Sequence, residues 1–201
     1  MDTSDSIPIE ETLEALGELV KQGKVRQIGL SNETPWGTMK YLELSETKSL
    51  PRVASIQNAY NLVNRGFEIG LSEIAMQEQV GLLAYSPLAQ GTLTGKYLNG
   101  QMPQGSRMAL FGDGPLMMRY KGVKTQRAIE MYVDIAKKFE IDPTQLAIQF
   151  CNIQPFVTSN IIGATTMEQL KICIDSIHLD MKKEIMNEIR KVHKEIPNPA
   201  P

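Results

Sequence analysis

The sequence predicts an α/β protein in which short buried strands alternate with helices around a parallel sheet. Four apolar stretches of strand length are separated by stretches of helical periodicity, and they lie at residues 25–30, 53–57, 82–85 and 160–162. Polar or glycine residues follow each of the four. In a barrel of strand–helix units the carboxyl ends of all strands face one mouth, which is the functional one. We therefore expect four such units at barrel spacing and a ligand site at that mouth.

The first half of the chain contains three expected helices between its strands. A proline and two acids at residues 8–11 suit the exposed amides of a first helical turn, and Gly23 follows the end of that helix. Helices are also expected over residues 35–48 and 67–79, where apolar residues recur at helical spacing.

The second half opens with a segment unlike the rest. Residues 97–122 are rich in glycine, proline and methionine, and loops of this length inside a domain are usually lids, binding loops or disordered segments. We expect a long, lid-like loop here. A helix around residues 129–136 follows, and Asp142 with Pro143 begins its continuation. The remaining expected elements are helices over residues 170–177 and 181–192 and an irregular tail at 197–201.

Composition limits the classes of function. With 201 residues, 42% apolar and 22% charged, the chain is expected to be one globular domain, and its net charge of −2 argues against nucleic-acid or anionic-membrane partners. No apolar run reaches the length of a membrane span, and residues 1–6 are polar, unlike a signal peptide. Cys151 and Cys173 lack metal-ligand spacing and are expected in the core of a cytoplasmic protein without a metal.

One stretch, residues 85–96, combines features of a nucleotide site. Tyr85 stands at the end of a buried strand and could offer its ring to a flat ligand. The glycines, hydroxyls and Lys96 that follow are the groups that a phosphate requires. The alternative is an ordinary strand with a turn and a glycine-rich surface loop.

Four ordered motifs resemble the C-terminal half of an aldo-keto reductase. They are GKVRQIGLSN at residues 23–32, IQN at 56–58, LAYSPL at 83–88 with Gly91 and Leu93, and IGATT at 162–166 with Gln169. The resemblance covers about residues 8–180 and is nearest to the Tas-like reductases and the potassium-channel β-subunit branch. It implies a (β/α)8 barrel, of which this chain holds about the last four units and a C-terminal helix.

The resemblance also implies a site for NADP, with NAD left open. Ser31, Asn32 and Gln57 would bind the nicotinamide carboxamide, and Tyr85 would stack on its ring. The pyrophosphate would lie against Ser86, Pro87, Leu88, Gly91, Leu93 and Lys96, and the adenosine 2′-phosphate end against Gly163, Thr165 and Gln169. From the residues alone, Ser31 and Asn32 could instead cap the next helix, and Gln57 could satisfy a buried backbone group.

Two departures bear on the choice of cofactor. Ile172 and Cys173 stand where the family commonly has an acidic residue followed by asparagine. Gln169 stands where many reductases have arginine. NADP specificity is therefore a separate question from the fold.

The family's catalytic set of Asp, Tyr, Lys and His belongs to its N-terminal half, so no catalytic residue is expected in this chain. The histidines, His178 and His193, come too late in the sequence to match it. Losing the proton donor typically costs about 10²–10⁴ in rate. Four strands would also leave two sheet edges and an apolar barrel interior open. The chain would then pair with another half-barrel, be only marginally stable, or be an N-terminally truncated form of a full-length reductase, and the last is the favoured expectation.

Two classes of function remain open at this point. The first is an NAD(P)H-dependent reductase that moves hydride between the nicotinamide and an aldehyde or ketone, represented here by its cofactor-binding half. The second is a non-catalytic, cofactor-binding regulatory or interaction subunit. A fragment without function would neither fold nor bind cofactor.

Overall fold

The computed structural model describes residues 7–112 and 114–201, without the side chain at position 116. Its centre is a parallel sheet with strand order β1-β2-β3-β4, the arrangement of a partial (β/α)8 barrel. The strands are β1 (Ile28–Ser31), β2 (Val53–Ala59), β3 (Gly81–Tyr85) and β4 (Val157–Ile161). The polar residues 1–6, expected to carry no targeting signal, lie outside the described residues.

Helices connect and cover the strands. They are α1 (Ile9–Lys21), α2 (Pro35–Thr47), α3 (Leu71–Gln77), α4 (Arg107–Phe111), α5 (Pro115–Met118), α6 (Val123–Lys138), α7 (Pro143–Asn152), α8 (Met167–Asp175) and α9 (Lys183–Glu195). Shorter 3-10 turns occupy Gly66–Glu68, Ala89–Thr94, Leu98–Gly100 and Ser176–His178. In the part of the chain that the structure describes, no helix is both long enough and apolar enough to cross a membrane.

Several boundaries differ from expectation for local reasons. The first strand begins only at Ile28, because the chain bends at Lys24 and Arg26 before it. The helix expected over residues 67–79 is divided at Gly70, whose φ of +84° is left-handed and cannot continue a helix. Residues 97–122, expected to be a loop, include α4 and α5. The last strand spans Val157–Ile161 and so begins before residue 160.

The two faces of the sheet have different environments. On one face Leu30, Ile56 and Leu82 are register partners and are all buried beneath the helices. On the other face the row is Ser31, Gln57, Leu83 and Ser159, of which only Leu83 is partly covered. The next row on the same face holds Ala59, Tyr85 and Ile161, of which Ile161 is 42% exposed. The open face is therefore mixed, with polar and apolar rows.

The core is continuous behind the sheet and contains an aromatic group. Tyr60 stacks on Phe150 with ring centroids 5.8 Å apart and meets Phe156 edge-on at 5.3 Å. Cys151 and Cys173 are both buried and unpaired, as expected. Burial raises the pKa of both thiols, which keeps them protonated.

The irregular C-terminal tail is bound to the rest of the molecule. The Ala200 amide donates to the Val63 carbonyl at 3.1 Å, and the Thr125 hydroxyl donates to the Pro199 carbonyl at 2.8 Å. Asn198 accepts a hydrogen bond of 2.7 Å from the Arg65 amide. These bonds fix the tail against the β2–α3 connection and the start of α6.

Candidate functional site

The carboxyl ends of the first three strands meet through hydrogen bonds. The Tyr85 hydroxyl, at the end of β3, donates to Asn32 Oδ1 at 2.8 Å. The Asn32 amide donates to the Gln57 carbonyl at 3.0 Å, and its side chain donates to Ser31 Oγ at 3.3 Å. Asn32 adopts φ +53°, a conformation that asparagine tolerates better than most residues. Four of the expected site residues are thus brought together at one mouth.

Ser31, Asn32 and Gln57 do not have the purely structural roles that the sequence left open, which were capping of the next helix and pairing with a buried backbone group. Thr34 caps α2, because its Oγ1 accepts a 3.0 Å bond from the Gly37 amide, so neither Ser31 nor Asn32 is the cap. Gln57 is solvent-exposed and therefore does not satisfy a buried group. Ser31 and Asn32 are exposed as well, so all three can contact a ligand.

The turn after β3 has a positive φ at four positions, three of which are successive. Ser86 has φ +55°, and Ala89, Gln90 and Gly91 have φ +48°, +58° and +90°. Non-glycine residues in this region cost of the order of 1–3 kcal/mol each and persist only where their surroundings fix them. Here the Ser86 carbonyl accepts two hydrogen bonds, from the Ala89 amide at 2.8 Å and from Asn61 Nδ2 at 3.0 Å.

Parts of the turn face inward and are already hydrogen-bonded. Pro87 and Leu93 are buried, and the Gly91 and Leu93 amides both donate to the Leu88 carbonyl, at 2.8 and 3.3 Å. Ser86 Oγ accepts a 2.9 Å bond from Gln90 Nε2, and Arg107 in turn donates to Gln90 Oε1. The partly exposed groups of this turn are therefore Ser86, Leu88, Gln90 and Gly91.

Lys96 contributes positive charge beside this turn. Its side chain crosses Gly91, where an added Cβ would lie 3.2 Å from both Lys96 Cε and Nζ. The ammonium also lies 5.2 Å from the centroid of the Tyr97 ring. Glycine is required at position 91 for the positive φ and for this close approach. Lys96 and Arg107 together make the outer side of the turn favourable for an anion.

The third group of expected residues forms a separate exposed cluster past β4. The Thr165 amide and hydroxyl both donate to Gln169 Oε1, at 3.0 and 3.1 Å. Thr166 caps α8 by accepting a 3.2 Å bond from the Gln169 amide. Gly163, nearby, has no atom within 4 Å of an added Cβ. Among the described residues, no hydrogen bond joins this cluster to the turn after β3.

Sequence reasoning missed two side chains that support the turn after β3: Asn61, which donates to the Ser86 carbonyl, and Arg107, which donates to Gln90. Asn61 is 0% exposed, and an asparagine soon after a strand was a usable indication of a backbone support. Arg107 comes from the 97–122 segment, whose path the sequence does not predict.

A second polar cluster begins directly behind the mouth, where the Tyr60 amide donates to the Tyr85 carbonyl at 3.3 Å. Arg65 pairs with Glu68 through two bonds of 2.6 and 2.8 Å, and the Tyr60 hydroxyl donates to Glu68 at 2.6 Å. Burial alone would raise the pKa of Glu68. The hydrogen bonds from Arg65 and Tyr60 have the larger combined effect and hold this pKa below its usual range. Glu68 thus accepts from both Arg65 and Tyr60, while Arg65 Nη1 is buried without a hydrogen-bond partner among the described residues. No group of three or more potential metal ligands occurs among residues 7–112 and 114–201.

Comparisons with known proteins agree with this architecture. The profile described as "Aldo/keto reductase family" matches residues 2–194. "Protein tas" of Escherichia coli (strain K12) is 49% identical over 200 residues, which is 100% of this chain and 57% of that protein.

More distant relatives carry other names. "L-glyceraldehyde 3-phosphate reductase" of Escherichia coli (strain K12) is 34% identical over 87% of this chain and 51% of its own length. "Probable voltage-gated potassium channel subunit beta" of Oryza sativa subsp. japonica is 34% identical over 81% of this chain and 50% of its own. The chain thus spans between half and three-fifths of the length of these relatives. Because the family profile covers nearly all of its residues, the chain belongs to the aldo/keto reductase family.

Proposed function

We propose that this chain binds NADP(H) at the mouth formed by β1, β2 and β3, as the cofactor-binding part of an aldehyde or ketone reductase. The observation that carries the proposal is the Tyr85–Asn32 hydrogen bond of 2.8 Å next to a left-handed turn beside Lys96. A bound nicotinamide would supply hydride to the carbonyl carbon of the substrate. The residues of this chain would bind and orient the cofactor.

The residues present fit the parts of this cofactor. The half-exposed Tyr85 ring is fixed through its hydroxyl and can cover one face of the nicotinamide. Ser31, Asn32 and Gln57 offer the donors and acceptors that a carboxamide pairs with. Ser86 and Lys96 offer a hydroxyl and an ammonium to the pyrophosphate.

The preference for NADP over NAD rests on the cluster past β4. Gly163 leaves open space, and Thr165 and Gln169 are exposed near the capped N-terminus of α8, where backbone amides favour an anion. An adenosine 2′-phosphate is the anion that separates NADP from NAD. Gln169 is neutral, so the expected discrimination between the two cofactors is modest.

The reductase activity belongs to the proposal for the whole protein, because the chain matches 57% of the length of its Escherichia coli relative. We assign no catalytic residue within the chain. The name of the glyceraldehyde phosphate reductase supports an aldehyde as the substrate class. Similarity to a potassium channel subunit supports a second candidate, a cofactor-binding regulatory subunit. The two unpaired cysteines agree with a reducing compartment such as the cytoplasm.

The direct test is an NADPH titration of the purified chain, followed by the cofactor's own fluorescence, after circular dichroism has established that the chain is folded. Replacing Lys96→Ala removes a charged phosphate contact and should raise Kd about tenfold or more. Lys124→Ala, at an exposed lysine in the first turn of α6, is the matched control and should not change Kd. Absence of saturable binding by the folded chain, or equal effects of the two variants, would overturn the proposal.

A further inference from the structure

We propose that the tail at residues 198–200 is a positioning segment for the turn after β3, and that it acts through the side chain of Asn61. The proposal rests on the proposed function of that turn as part of the cofactor site. Among residues 7–112 and 114–201, no hydrogen bond joins the tail to Tyr85 or Ser86 directly. Its effect passes through the β2–α3 connection, residues 60–65.

Asn61 holds the turn after β3 through its side-chain amide. Its Nδ2 donates to the Ser86 carbonyl at 3.0 Å, and the residue is 0% exposed. Its Oδ1 accepts hydrogen bonds from the Val63 amide at 3.0 Å and from the Asn64 amide at 2.9 Å. Two backbone donors on one side require the oxygen there, which directs the NH2 group toward Ser86. The orientation of the Ser86 carbonyl therefore depends on the backbone at residues 63 and 64.

The peptide group between Val63 and Asn64 is shared by Asn61 and the tail. Its N–H donates to Asn61 Oδ1 at 2.9 Å, and its carbonyl accepts the Ala200 amide at 3.1 Å. Because a peptide group is planar and rigid, a bond that fixes its carbonyl also fixes the direction of its N–H. The Ala200 amide thus helps to orient the side chain of Asn61.

The next peptide group, between Asn64 and Arg65, is shared in the same way. Its carbonyl accepts the Asn61 amide at 2.9 Å, and its N–H donates to Asn198 Oδ1 at 2.7 Å. Asn198 has φ +43°, a left-handed conformation that asparagine tolerates better than most residues. Two successive peptide groups are therefore bonded to Asn61 on one side and to the tail on the other.

The tail has a firm support of its own. The Thr125 hydroxyl, in the first turn of α6, donates to the Pro199 carbonyl at 2.8 Å. Thr125 and Ala200 are each 1% exposed. The tail therefore transmits the position of α6 to the β2–α3 connection.

The β2–α3 connection holds two successive carbonyls of the proposed site. The Tyr60 amide donates to the Tyr85 carbonyl at 3.3 Å, and Asn61 donates to that of Ser86. Ser86 has φ +55°, and its carbonyl also accepts the Ala89 amide at 2.8 Å. Serine gains nothing intrinsically from this conformation, so a loosened Asn61 should make the Ser86 carbonyl and its bond to Ala89 less well ordered.

The experiment compares Asn198→Gly with Ser49→Gly in the full chain. Glycine keeps the positive φ at position 198 and removes the acceptor of the Arg65 amide. Ser49, exposed after the end of α2, has φ +55° and is the matched control. Two quantities are measured: hydrogen exchange of the Arg65 and Ala89 amides without cofactor, and the Kd for NADPH. Asn198→Gly should accelerate both exchange rates and raise Kd about threefold, while Ser49→Gly should change none of them.

Asn198→Asp is the second variant. It keeps an oxygen for the Arg65 amide and a residue type that tolerates the left-handed region, so the exchange rates and Kd should return to those of the unmodified chain. Failure of this restoration, or equal effects of Asn198→Gly and Ser49→Gly, would overturn the proposal.

A purely structural role of the tail gives a different result. Asn198→Gly would then accelerate exchange at Arg65 alone and leave the Ala89 rate and Kd unchanged, which would also overturn the positioning role. Absence of NADPH binding in the unmodified chain would reject the proposed function instead. The exchange rate at Ala89 would still decide whether the tail orients the turn, because that comparison needs no cofactor.

Discussion

At the scale of single residues, Tyr85 has two separable roles at the mouth. Its ring is the only aromatic group among the expected site residues, and its hydroxyl is bonded to Asn32 at 2.8 Å. The bond restricts rotation of the ring, so the ring is oriented before any ligand arrives. Preorganisation of this kind lowers the entropy that a ligand must overcome on binding.

Substitutions at Tyr85 should separate the ring from its hydroxyl. Tyr85→Phe keeps the ring and loses the bond to Asn32, so Kd for NADPH should rise only about three- to tenfold. Tyr85→Ala also removes the stacking surface, which is worth about 1–3 kcal/mol per base, and should weaken binding further by about tenfold. Fluorescence titration measures both values. If Ala and Phe gave the same Kd, the ring would not contact the nicotinamide.

At the scale of elements, the sequence predicted local starts and ends better than distant contacts. Asp142 and Pro143 indicated the start of α7, and Asp142 does accept the Thr144 amide at 2.7 Å. The strands followed from short apolar runs. The sequence left two roles open for Ser31 and Asn32, contact with the cofactor or capping of α2. The structure was needed to show that Thr34 is the cap, because capping depends on geometry. Contacts such as Asn61 with Ser86 join residues of different units, so no local pattern indicates them.

The pairing of β1 with β2 depends on a small residue. A Cβ added at Gly29 would lie 2.8 Å from Ser55 Oγ and 3.1 Å from the Ser55 carbonyl oxygen. Gly29→Ala should therefore destabilise the chain by about 1–3 kcal/mol. Adding Ser55→Ala removes the nearer atom and should restore part of the loss, which urea unfolding can measure.

Gly163→Ala is the matched control for Gly29→Ala, since no atom lies within 4 Å of its added Cβ. Its stability should stay within about 0.5 kcal/mol of the unmodified chain. A similar stability of the two single variants would show that a small shift of the strand accommodates the methyl at position 29. If the double variant recovered nothing, the cost would come from the Ser55 carbonyl oxygen and not from its hydroxyl.

At the scale of the whole molecule, the Arg65–Glu68 cluster joins parts that are distant in the sequence. It lies in the β2–α3 connection and contacts α7 through Phe150, whose ring centroid is 5.2 Å from the Arg65 guanidinium carbon. His193 on α9 faces this cluster, and its Nδ1 is buried without a partner among the described residues. The C-terminal tail completes the arrangement through Asn198 and the Arg65 amide. Charge on His193 therefore acts on the stability of the entire fold.

The stability of the chain should depend on pH through His193. Burial lowers its pKa below the ordinary 6.5, Arg65 lowers it further, and Glu68 opposes them. The unfolded state therefore binds the proton more strongly, and the free energy of unfolding should fall as the pH drops below about 6.5. His193→Gln should remove this fall, whereas His178→Gln, at an exposed position, should keep it. Glu68, whose pKa is held below the ordinary 4.5, adds a second loss only in more acidic solution. Urea unfolding at pH 7.5, 6.5 and 5.5 distinguishes the two groups, and an unchanged slope in His193→Gln would assign the dependence to another residue.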